Sequence, residues 1–535
     1  MSRRWVVLGV LALGLALTVA GCGGGQSYGP NQTVIEVENV SIASSLDPQV
    51  AYESASVETV HELYSNLVTY ANGDTTQVVP MLAQSWEMSP DGLTWTFHLK
   101  QGIKFASGNE VTANDVVYSF ERAVGISNSP SQWLVTQLGI NSSNVDQQVK
   151  ALDKYTVQIT LPAPFAPGAF LAIMAYPTTS VVDSQVVKQH VQNNDFGSAW
   201  LNDHSAGSGP YILEKWDRSS QIVMTANPNY NLGPAPAMKR VILQNVAENT
   251  TQYDMLQKGD ADVATELSPQ QIQNLKGNSN FQIVQTPSLS LTYLGLDVKN
   301  VPAFAKPEVR EAIKWAIDYN GIINNLLNNN ALLVQGVIPK GMYGYDPDTP
   351  FHQDIAKAKQ LLAQAGYANG FTVELLVSNS AMAEGVQASD YAAKIKNDLA
   401  QIGITVNIKQ VQSSELYKTY RAQQAQMVLA NWGADYPDPD DFAKPLCDYS
   451  QKSLAWRLNW NDPEIGQLAE HAGTLPNGPD REAAYKQIND LMMQRSPFVI
   501  LDQPMTLLAM SSKVHNVYYN PLWGVEWALV TKSTQ

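Results

Sequence analysis

The chain has 535 residues and a mass of 58.6 kDa, past the size at which one hydrophobic core keeps growing, so two or more domains or lobes are expected. Hydrophobic residues at 44% and aromatics at 9% exclude a disordered chain, while charged residues make up only 16%. The formal charge of −15 excludes a broad nucleic-acid footprint, the two cysteines exclude a disulfide scaffold or a Cys-rich cluster, and seven scattered histidines speak against a metal enzyme.

The first residues address the chain to a membrane. Arg3 and Arg4 precede an apolar stretch from Trp5 to Ala20, too short for a span and the right length for a signal-peptide core. It ends in Val19-Ala20-Gly21-Cys22, which resembles the bacterial lipobox. That resemblance implies cleavage of residues 1–21, acylation of Cys22, and anchoring through two or more acyl chains. Residues 22–32, rich in glycine, read as a flexible tether. The body is then extracytoplasmic: on the outer face of the cell membrane, or in the periplasm where the envelope has two membranes. Cys447, the second cysteine, reads as a buried small hydrophobe.

Further along, strands and helices alternate, and no second apolar run of span length follows. Leu93–Leu99 alternates at period two after the turn Pro90-Asp91-Gly92 and is a half-buried strand. Thr112 to Asp115 has N-cap chemistry ahead of a helix through Val116–Arg122. Tyr155–Leu161 is a strand stopped by Pro162-Ala163-Pro164. Pro307 opens an amphipathic helix, Asp354–Ala365 forms another closed by Gly366, and strand Phe371–Val377 follows it. Tyr391–Ile402 is helical up to Gly403, with strand Ile404–Val411 behind it. This alternation predicts an α/β fold.

Catalytic motifs are missing. There is no Gly-x-Ser-x-Gly elbow and no phosphate loop. His61-Glu62 opens like a zinc-protease helix, but the fourth residue after His61 is Ser65. Asp438, Asp440 and Asp441 interleave with Pro437 and Pro439 and lack the glycine and glutamate of a calcium loop; Asp438 and Asp440 read as turn or solvent residues. No catalytic residue, cofactor or metal site is expected.

Nine blocks occur in an order that resembles the family 5 extracytoplasmic solute-binding proteins of ABC transporters, the dipeptide- and oligopeptide-binding type. They begin with Ser45-Leu46-Asp47-Pro48 and His61–Val68, and continue with one long block, Pro80–Trp86 running on through Asp91–Phe97, and with Ala113–Phe120. Gly207–Tyr211, Lys258–Val263, Val309–Asp318, Ala356–Tyr367 and Asn431–Pro439 complete the series. The resemblance covers essentially the whole body. It implies a two-lobed, periplasmic-binding-protein-like clamp of type II. Lobe I would span about residues 33–283 with a peripheral subdomain near 55–190, lobe II 284–504, and a return segment 505–535 would pack on lobe I. The partners implied are a short peptide and the transmembrane subunits of an ABC permease. A monomer is expected, and no nucleic acid.

A receptor for many peptides should grip ends and backbone, and leave side chains in roomy pockets. By the resemblance, Asp435 pairs with the ligand's α-ammonium, its other reading being a turn residue. Backbone groups of Asn431, Trp432 and Gly433 on one side, and of Tyr52, Glu53 and Ser54 on the other, sandwich the peptide. Trp432 walls a side-chain pocket or sits in the core; Trp133 lies in a stretch that reaches toward the cleft, though a core position is its simpler reading. Some oligopeptide binders carry an arginine where this chain has Leu429, so the ligand's carboxylate must be held otherwise. The same fold binding an oligosaccharide, nickel chelate, haem or opine, or a secreted hydrolase, remains the alternative.

Overall fold

The computed structural model describes residues 28–40, 43–126 and 129–533; the leader and Cys22 lie outside the described residues. The predicted elements form where local chemistry places them. Thr94–Leu99 and Thr156–Thr160 are adjacent antiparallel strands. Thr112 caps the helix Ala113–Gly125 in a reciprocal box, its N–H donating to the Asp115 carboxylate at 2.9 Å. Asp354 caps Ile355–Gln364, accepting from the Lys357 N–H at 2.9 Å, and Gly366 at φ +85° ends that helix in the left-handed conformation. Among the described residues no helix is long and apolar enough to cross a membrane.

Twelve strands make one mixed sheet. Its path runs Thr405–Val411, Thr372–Ser378, Met427–Gly433, Ser290–Leu296, Phe498–Ser511, Val263–Ala264, Thr33–Glu38, Arg240–Asn245, Gln221–Ala226, Tyr211–Asp217; Phe281–Pro287 and Ala331–Leu332 also pair with Phe498–Ser511. Phe498–Ser511 is 14 residues long, about 46 Å at 3.3 Å per residue, and serves both halves of the sheet. Its first part, through Asp502, pairs with Ser290–Leu296, and Met505 to Ser511 pairs with Phe281–Pro287. Between them the two passing segments are tied together: the Ser288 N–H donates to Pro504 O at 3.0 Å, and the Gln503 amide donates to Ser288 O at 2.6 Å.

Both faces of each half are covered. In the second half Leu294, Leu429, Leu375 and Val499 face one core while Tyr293, Val428, Leu376 and Ile500 face another, the period of two sorting neighbours to opposite sides. In the first half Val34, Leu508 and Met510 face one core and Val37, Leu507 and Ala509 the other. Strands buried on both faces read as continuous apolar runs, and Ser290–Leu296 is buried along its whole length.

A separate four-stranded sheet, in the order Ala83–Met88, Thr94–Leu99, Thr156–Thr160, Val149–Asp153, has its own core with the helices Ala113–Gly125 and Pro167–Ala175. Trp95 and Phe170 stack there at 4.4 Å. The C-terminal segment returns to the helix Ser54–Leu63: the Trp527 N–H and indole N–H donate to Glu62 and Glu58, each at 2.7 Å. Cys447 is fully buried, as a small hydrophobe would be.

Candidate functional site

The strand Met427–Gly433 carries the first side of the site. It pairs with Ser290–Leu296 along its whole length, to Gly433 opposite Ser290. On its other edge the ladder with Thr372–Ser378 stops at Val428. Asn431, Trp432 and Gly433 therefore run past the end of their second neighbour, and Gly433 is exposed with no atom closer than 3.8 Å to the position a Cβ would take. An extended ligand can add to such an edge through main-chain hydrogen bonds.

The loop after that strand is held by buried charges. The Asp441 carboxylate accepts from the Asp435 N–H at 2.7 Å and from the backbone of Tyr436. The Trp432 indole donates to Asp441 O at 2.9 Å, which fixes a half-buried ring beside the loop. Asp438 does accept from the Asp440 N–H at 3.1 Å, as a turn residue would, but the expectation that Asp438 and Asp440 face solvent is wrong. Asp438 takes two nitrogens of the fully buried Arg481, at 2.5 and 2.9 Å, and Asp440 pairs with Lys444 at 3.0 Å. Proline-rich turn chemistry hid these partners, since Arg481 arrives from a helix far along the chain. Burial, and after it Asp440, push the Asp438 carboxyl up to about 6, with the bidentate grip of Arg481 acting against that rise.

Tyr52, Glu53 and Ser54 form the other side. Tyr52 and Glu53 precede the helix Ser54–Leu63, with Glu53 in an extended conformation and its carboxylate accepting from the Ser44 hydroxyl at 2.8 Å. The two sides meet at Tyr52, whose hydroxyl donates to the Asp435 carboxylate while the Trp133 indole donates to Tyr52 in turn. Trp133 is half-buried at this meeting point and packs against the core of the four-stranded sheet, in keeping with its simpler reading. Its ring lies 6.4 Å from that of Tyr436, and the Tyr436 hydroxyl donates to Gln137 at 3.3 Å.

Burial pushes Asp435 up to about 6, with the Tyr52 hydrogen bond acting against it. Buried Tyr176 completes the pocket: Asp435, Asp441 and Glu53 all act on its hydroxyl and hold it protonated. The sequence offered no sign of Tyr176, and it showed Asp441 only as part of an incomplete calcium-loop pattern. The pocket is rich in carboxylates and hydroxyls, and none of the groups acting on Asp435 is a lysine or arginine. Such a pocket suits a small cation with several N–H donors. Leu429 is 2% exposed and packs in the core of the second half, so its side chain faces away from this cleft.

His61 is no metal ligand by its surroundings. It stacks on Trp523 at 4.2 Å, and burial pushes its imidazole down to about 3.

Comparison with known proteins agrees with this geometry. The family model for the bacterial extracellular solute-binding proteins, family 5 (middle region), matches residues 77–453. A probable D,D-dipeptide-binding periplasmic protein of Escherichia coli is 30% identical over 483 residues, covering 89% of this chain and 90% of that protein. A di/tripeptide-binding protein of Pseudomonas aeruginosa is 28% identical, covering 88% and 89%. The ABC transporter-associated periplasmic binding protein DppA of Helicobacter pylori, solved with the peptide STSA, superposes with a TM-score of 0.77 at 27% identity, covering 94% of this chain and 98% of that one. The fold is the two-lobed type II clamp with an added subdomain, and the chain belongs to the family 5 bacterial extracellular solute-binding proteins.

Proposed function

We propose that this receptor captures short peptides by their free amino terminus in the cleft between its lobes and hands them to an ABC permease. Lobe I is residues 33–283 with 505–535, including a peripheral subdomain near 55–190, and lobe II is 284–504. The crossings near 283–290 and 500–506 are the hinge. Asp435 takes the α-ammonium, with Tyr52, Glu53, Ser54 and Trp133 on one wall and Asn431, Trp432 and Gly433 on the other. Cys22 carries the lipid anchor, the receptor acts as a monomer, and it performs no chemistry on its ligand.

One observation carries the reading: a half-buried carboxylate, Asp435, stands where the two sides of the cleft meet, faced by the Tyr52 hydroxyl and with the Asp441 carboxylate nearby. An ammonium brings three donors and a positive charge to that point. The strand edge beside it supplies what every peptide shares, a row of amide partners.

Mass spectrometry of material co-purifying with the receptor tests this reading. Intact short peptides with free amino termini are expected, and they should raise the melting temperature when added back. Recovery of an uncharged oligosaccharide, or of hydrolysed products, overturns the peptide assignment.

A further inference from the structure

The strand Thr33–Glu38 places Val34, Glu36 and Glu38 on one face by its period of two, and Val34 lies in the apolar core there with Leu243 and Leu508. Two glutamates therefore stand where a strand buried on both faces ordinarily carries apolar residues. Glu58, from the helix Ser54–Leu63, joins them: one carboxylate oxygen of each lies within 4.8 Å of the others. All three are buried, Glu36 completely, Glu38 at 7% and Glu58 at 6% exposure.

Glu58 is held in place by the Trp527 indole, which donates to its Oε1 at 2.7 Å, and by the Val525 backbone. Both oxygens of Glu36 and the Oε1 of Glu38 receive no hydrogen bond from an N–H or hydroxyl donor, and the Glu36 carboxyl faces that of Glu58. The charged groups acting on Glu36 and Glu38 are themselves carboxylates. One helical turn beyond Glu58, the Oε2 of Glu62 is a further buried oxygen without a partner. Burial first, and then the neighbouring carboxylates, push Glu36 and Glu38 up, so without a cation they are held protonated, and a bound cation would take the place of those protons.

We propose that Glu36, Glu38 and Glu58 form a binding site for a hard divalent cation, with Ca2+ the best fit. Three carboxylates and no nitrogen or sulfur make a hard donor set. The three oxygens all lie within 4.8 Å of one another, close enough for each to reach a single Ca2+ at about 2.4 Å. The ion would tie together the first strand, the helix that begins at Tyr52–Ser54, and the returning C-terminal segment at Val525–Trp527.

The test uses the full chain after exhaustive chelation, with Tb3+ as an optical probe and Ca2+ alone as the competing ion. Trp527 sits beside Glu58, so ultraviolet excitation should sensitise one equivalent of Tb3+, displaceable by Ca2+. Added Ca2+ should raise the melting temperature of the wild type. Glu36→Gln should weaken both responses at least tenfold, yet melt no lower than wild type in chelator, because the amide replaces a buried carboxyl that is neutral there. Glu58→Gln, a second probe, should lose the metal responses as well. Absence of any thermal or luminescent response in the wild type to millimolar Ca2+ and Tb3+ overturns the site. So does a response left undiminished in both variants.

Discussion

Arg481 grips Asp438 through two nitrogens at 2.5 and 2.9 Å, and both side chains are shut away from water. Arg481 is tied further, donating to Ala472 O at 3.1 Å and Asn477 at 2.6 Å. The pair anchors the loop that carries Asp435, and a Cβ on Gly168 of the peripheral subdomain would lie only 3.2 Å from Asp438. Removing one partner leaves the other charge buried alone. Asp438→Ala is expected to cost about 3–5 kcal/mol of stability, read by thermal or urea unfolding. A melting temperature equal to wild type would mean that the loop does not rely on the pair.

Asp435 should behave differently, because it is free to serve a ligand. Asp435→Ala should weaken peptide binding by about 2–5 kcal/mol, roughly 30-fold to several-thousand-fold, with little loss of stability. N-acetylation of the peptide removes the same charge from the other partner. The two changes should therefore be non-additive in a calorimetric cycle. Tight binding of free-amine peptides by the mutant would reduce Asp435 to a turn residue.

The same carboxylate sets a pH dependence. Burial lifts Asp435 to about 6 in the free receptor, and an ammonium bound to it must pull that value down. Binding then expels a proton below pH 6. Affinity should be full above about pH 6 and fall toward tenfold per pH unit as the pH drops through it. Titrations at pH 5 and pH 7 would test this. An affinity that does not change, or that improves in acid, would refute the assignment.

Motion should centre on the tied segments at Ser288 and Gln503. Contacts such as Tyr52–Asp435, Tyr436–Gln137 and the Ala166 N–H to Gly473 O at 3.0 Å join residues on either side of the proposed lobe boundary, and ligand held between them should favour the arrangement that makes them. Small-angle scattering should show a smaller radius of gyration at saturating peptide. An unchanged radius, with calorimetry reporting full occupancy, would count against a hinged clamp.

Anchoring is tested in the native host. Cys22→Ser should abolish lipid labelling and release the receptor from membranes, whereas retention with the leader still attached would refute the lipobox reading.

Much of this protein was legible along the chain, because the signals are local. Thr112 with Asp115, Asp354 with Gly366, and the alternation of Thr94–Leu99 act over a few residues, within reach of capping and pleating rules. The nine family blocks added the order of the clamp, and with it the choice of Asp435. What charges do inside the fold depends on partners distant in sequence. Asp438 looked like one more turn residue until Arg481 closed on it. Glu36 and Glu38 were two unremarked acids in a strand; only packing against Glu58 turned them into a buried cluster. Burial and the approach of other charges decide whether a carboxylate is a solvated surface group, an ion-pair partner or a ligand, and both are set by the tertiary structure.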